Sequence, residues 1–73
     1  MRARVFLKGP LFTFAGHVPR GAAVVEGVVE DTSGFGLTVA VASYLDESGK
    51  RLEGPALTLI LPSAKVDHVL VLG

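Results

Sequence analysis

The stretch AAVVEGVVEDTSGFGLTVAVASYL, residues 22–45, decides the fold class. Over residues 22–31, Val25, Gly27 and Val29 fall on one side, and Val24, Glu26, Val28 and Glu30 on the other. Side chains alternate in this way along a strand. Gly27 then marks a bulge, or the sharp bend that a small barrel needs. The run from Asp31 to Gly36, DTSGFG, is turn chemistry. A second strand follows over residues 37–45, with Leu37, Val39, Val41 and Leu45 expected on one face. Thr38, Ala40, Ala42 and Tyr44 are expected opposite. Gly34 and Gly36 do not make a dinucleotide loop, which needs a third glycine and a helix N-terminus. They read as the turn of a hairpin.

The rest of the chain repeats this pattern on a smaller scale. Gly and Pro punctuate it at Gly9-Pro10, Pro19-Arg20-Gly21, Ser48-Gly49, Gly54-Pro55 and Pro62. The segments between are rich in Val, Leu, Thr and Phe and too short for helices. Strands are expected over residues 2–8, 11–17, 56–61 and 66–72. Leu57, Leu59 and Leu61 should stack on one face of the fifth, and residues 46–50 form the most polar loop. Short strands at this spacing predict a barrel or sandwich. The expected architecture is a single all-β domain over residues 1–73, an antiparallel barrel of five or six strands with at most one 3₁₀ turn.

Leu61-Pro62-Ser63-Ala64-Lys65-Val66-Asp67-His68-Val69 follows one strand and precedes another. This strand, proline, tight turn, strand arrangement resembles the end of small SH3-like and Sm-like barrels, and residues 24–45 fit the middle of such a barrel. About half the chain takes part. The resemblance implies a barrel often found in dimers or rings. It does not extend to the RNA pocket of the Sm-like proteins, which uses an Asn that this chain lacks. A second pocket there uses an Arg-Gly pair, where this chain has Pro62-Ser63-Ala64-Lys65.

A chain of 7.6 kDa buries only about 60% of its unfolded surface, and domains of this size usually need a staple. Disulfides are excluded, because there is no Cys. Hydrophobic residues make up 49% of the chain and its mean hydropathy is +0.52, which favours burial against another subunit. The last strand says most about this. One face is expected to carry Val66, His68, Leu70 and Leu72, the other Asp67, Val69 and Val71, so both faces are largely apolar. A strand of a small two-layer protein normally turns one side to water. Either this strand is central in the sheet, or one face or edge is covered by another subunit, with Val66, His68, Leu70 and Leu72 as the expected interface of a homo-oligomer.

The formal net charge is +0, so no global field points to nucleic acid or an anionic membrane. A local patch is the exception. Arg2, Arg4, Lys8 and Arg20 all precede the first acid, Glu26. With Phe6, Phe12, Phe14 or Phe35 as stacking platforms they would suit a single-stranded nucleic acid. The bland alternative is a solvated strand face with phenylalanines in the core. Met1-Arg2-Ala3-Arg4 resembles the start of a signal peptide, but Lys8-Gly9-Pro10 interrupts the apolar run and no A-x-A-like site follows. The expected location is cytoplasmic, with no membrane partner. The chain has no Asn or Gln and more Arg than Lys, and scarcity of thermolabile amides fits a heat-stable source.

Chemistry-bearing residues are sparse. His17 and His68 are the only histidines, whereas a zinc site needs three or four converging ligands. No metal, cofactor or small-molecule ligand is expected. Asp67 beside His68 suggests a carboxylate orienting a base, yet strand neighbours should point to opposite faces and not meet. Ser63 is expected as a local backbone cap rather than a nucleophile, so no catalytic residue is assigned. Three functions then compete: a non-enzymatic, self-associating assembly or regulatory module, which leads; a nucleic-acid-binding barrel using the basic N-terminal segment; and a small enzyme or ligand-binding protein with a site made between subunits around His17 or His68.

Overall fold

The computed structural model describes residues 1–11 and 17–73. Six antiparallel strands, one 3₁₀ turn and no α-helix make up the described residues. They are β1 (Arg2–Leu7), β2 (Val24–Ser33), β3 (Gly36–Leu45), β4 (Arg51–Leu52), β5 (Thr58–Pro62) and β6 (Val66–Val71), with the 3₁₀ turn at Ser63–Lys65. The strand expected over residues 11–17 falls mostly outside the described residues. Strand order is β4-β3-β2-β1-β6, and β5 also pairs with β3. The sheet is thus an all-β half-barrel, curled so that one face encloses the core.

That curl comes from three register shifts. Glu26 pairs with Ser43 but Gly27 with Val41, which leaves Ala42 as an extra residue in β3. Glu30 is the extra residue in β2, and Asp67 in β6. A bulge of this kind bends a strand and sharpens its twist. Gly27 sits where the expected bend falls, and a Cβ there would strike the carbonyl of Ala40. Only glycine lets the two backbones approach so closely.

Each bulge also resets the alternation of side chains, which corrects the reading of β3. Tyr44, expected on the outer face, is 1% exposed, and Leu45 is half-buried. Past Ala42 the inward positions move by one residue, so Val39, Val41 and Tyr44 point inward together. With Ala3, Val5, Val25, Val29 and Leu61 they form the core. Leu57 and Leu59 pack against it, as their spacing predicts. The Tyr44 hydroxyl donates to the Pro55 carbonyl at 2.9 Å, and burial pushes its pKa up. This bond pins the crossing between β4 and β5, where Val41 N–H also donates to Leu57 O at 2.7 Å.

β4 has no counterpart in the sequence reading, because two residues carry no periodicity. The polar loop is as expected, and Asp46 organises it. One carboxylate oxygen accepts from Ser48 Oγ at 2.7 Å and from the N–H groups of Ser48 and Lys50, each at 2.9 Å. These bonds hold its pKa below the ordinary aspartate range, the Ser48 side chain contributing most.

Candidate functional site

The outer face of β6, β1 and β2 gathers most of the residues singled out in the sequence. Cross-strand register sets Arg4 beside Glu26 on one side and Leu70 on the other, and Phe6 beside Val24 and His68. Arg4 Nε donates to Glu26 Oε2 at 3.0 Å, and Arg2 Nη2 lies 3.9 Å from Glu26 Oε1. Two of the four expected cations therefore share one carboxylate. Lys8 lies beyond β1, its N–H donating to Lys65 O at 2.8 Å. Arg20 is exposed in the turn before Gly21. The fold brings Arg2 and Arg4 together on one strand face and sets Lys8 and Arg20 on connections.

Neither described phenylalanine belongs to the core cluster, contrary to the bland expectation. Phe35 is 73% exposed at the tip of the β2–β3 turn, and Phe12 and Phe14 lie outside the described residues. Phe6 stacks on His68 with ring centroids 4.3 Å apart and planes within 8°. The sequence offered no signal for this pair, which depends on the β1–β6 register.

The expectation that Asp67 and His68 point apart is overturned. His68 Nδ1 lies 3.3 Å from Asp67 Oδ2. Asp67 is the extra residue of the β6 bulge, and alternation between neighbours is suspended there. Both side chains are open to solvent, and among the described residues no third His, Cys, Asp or Glu joins them as a ligand set. Ser63 opens the 3₁₀ turn, with Pro62 rather than Ser63 at its N-cap and no side-chain cap bond. Its N–H donates to Phe35 O at 2.6 Å. His17 is exposed.

The same bulge divides the four residues expected at an interface. Val66 pairs with Leu7 and packs against the core with Val69. His68 and Leu70 turn outward, and Leu70 is 46% exposed. Leu72 follows the end of β6, anchored by its N–H to Arg2 O at 2.8 Å. Val71, which was assigned to the opposite face, is exposed as well.

Among the described residues β6 pairs with β1 alone, so its other edge is open. No helix of the described residues is long and apolar enough to cross a membrane. No family model, curated protein or solved structure matches this chain. Fold and surface together define a class, the small antiparallel half-barrel with an open apolar terminal strand.

Proposed function

We propose that this protein is a non-enzymatic barrel module that works by self-association, and that a second copy completes the edge of β6. One observation carries this reading. From Val69 to Val71 the last strand of the sheet is apolar on both faces, open along one edge among the described residues, and, like Leu72 beyond it, free of the Lys and Pro residues that usually guard such edges. The Asp67 bulge guards only the start of this edge, and the apolar residues beyond it are an aggregation hazard unless a defined partner covers them. The small core and the absence of Cys point the same way, since association would supply the missing staple. The strand, 3₁₀ turn, strand closure between β5 and β6 supports kinship with SH3-like barrels.

The shared Glu26 carboxylate favours association over nucleic-acid binding, because it offsets charge that Arg2 and Arg4 would otherwise present to phosphate. The first test is size-exclusion chromatography with light scattering on the untagged protein, recording absorbance at 260 and 280 nm. The expected result is a defined oligomer with a protein-like ratio. Leu70→Lys with Leu72→Lys should return the monomer mass and leave the β-sheet circular dichroism unchanged. A wild-type monomer at micromolar concentration would overturn the proposal. A high ratio that collapses with added salt would establish nucleic-acid binding in its place.

A further inference from the structure

The pairing phase of β6 specifies more than an open edge. Leu72 N–H donates to Arg2 O, and alternate residues of an antiparallel strand send both peptide groups the same way. His68 and Leu70 therefore spend theirs on β1, opposite Phe6 and Arg4. The odd residues of β1 are used on the far side, where Leu7 N–H donates to Ala23 O and Met1 O accepts from Val29 N–H. Along β6 it is Val69 and Val71 that turn their N–H and C=O groups to the open edge. Edge strands elsewhere in proteins leave such a row as a template for another strand.

We infer that two copies of this chain pair antiparallel through β6 about a two-fold axis at Leu70. The inference rests on the self-association reading and adds its symmetry and register. A two-fold contact requires a self-complementary patch, and His68–Leu72 is one. With the axis at Leu70, Val69 meets Val71 of the partner subunit, and the four open peptide groups on each strand bond reciprocally. Leu70 meets Leu70 of the partner subunit on the outer face, and His68 meets Leu72 of the partner subunit. No charge opposes a like charge. Asp67, the nearest acid, falls opposite a glycine, Gly73 of the partner subunit.

Other registers are poorer. A slip of one residue towards the N-terminus sets Asp67 against Val71 of the partner subunit and draws the bulge into the ladder. A slip the other way leaves Val69 facing Gly73, with no side chain to cover it. The β5 edge is a weaker template. It is five residues long, ends in Pro62, and borders Leu11, Val18 and Lys65.

The chain has no Cys, which makes the test direct. In the inferred register Leu70 is a non-hydrogen-bonded pair with Cα atoms about 4.5 Å apart, within disulfide range. Leu70→Cys treated with oxidised glutathione should become a disulfide-linked dimer within minutes. Ile60→Cys, 69% exposed on β5, should link at least ten-fold more slowly, as a collision control. Both variants are checked for native circular dichroism and for mass by light scattering. Equal rates would overturn the inference. So would linking of Leu70→Cys to Ile60→Cys in a mixture, which would signal head-to-tail β6–β5 contact. An oligomer by light scattering in which Leu70→Cys fails to link would overturn the two-fold register and leave self-association standing. A monomer would overturn both.

Discussion

β2 and β6 are built from the same kinds of residue and live in opposite circumstances. Val25 in β2 is 0% exposed, while Val71 in β6 is 56% exposed. Both pair with β1, Val25 through Val5 and Val71 through Ala3. The difference is the second neighbour. β2 has β3 on its other side along nine register pairs, and β6 has none among the described residues. Valine and leucine thus mark where apolar cover is wanted, and strand order decides where this chain supplies it.

The sharpest way to break that comparison is to attack each region with one bulky or charged substitution. Gly27→Val drives a branched side chain into the Ala40 carbonyl and should cost more than about 4 kcal/mol, the range of severe core lesions. Loss of cooperative thermal unfolding is the readout. A folded Gly27→Val protein would mean that the β2–β3 bulge can move.

The same substitution in both regions sharpens the contrast. Val25→Ala should cost about 2–3 kcal/mol from lost burial plus a cavity. Val71→Ala should change stability by no more than about 0.5 kcal/mol, both variants being measured by urea unfolding in the background of Leu70→Lys with Leu72→Lys so that association does not contribute. Equal costs would mean that β6 is covered within one chain.

Tyr44→Phe is expected to cost about 1 kcal/mol, the usual worth of a hydrogen bond such as the one to Pro55 O. Because folding raises the Tyr44 pKa, its contribution is complete below the ordinary tyrosine range and is lost as pH rises through the folded value. The variant should therefore lose part of the alkaline instability of the wild type, as read from Tm against pH.

Asp46→Asn should give the smallest effect, a slight fall in Tm at neutral pH. The folded pKa is depressed, so the carboxylate stabilises above the unfolded aspartate range and this is lost as pH falls through the folded value. The two Tm curves should converge in acid. A constant gap would mean that the loop is held by other groups.

Much of the half-barrel was legible without coordinates. Turn residues at Gly34, Gly49 and Pro62 located the connections, and the leucines at 57, 59 and 61 located an inward face. The misplaced residues sit on either side of a bulge. Tyr44 follows Ala42, and Val66 precedes Asp67. An extra residue in a ladder is a property of two strands, and neither strand announces it alone. Gly27 is the exception, since its missing side chain marked the bend in advance. The candidate surface was half legible for the same reason. Leu70 and Leu72 were read as exposed apolar residues, while Val66 turned inward and Phe6 acquired His68 as a stacking partner.

The amino-acid order by itself determined that the chain makes strands, where they turn, and that it carries more apolar surface than so small a core hides. Those properties are local or additive, written in alternation, in glycine and proline, and in composition. Tertiary structure alone decided which strand stands last in the sheet, which residues slip past a bulge, and which peptide groups are left open. Those depend on pairing between residues far apart in the chain, where a shift of one position carries a side chain from core to solvent.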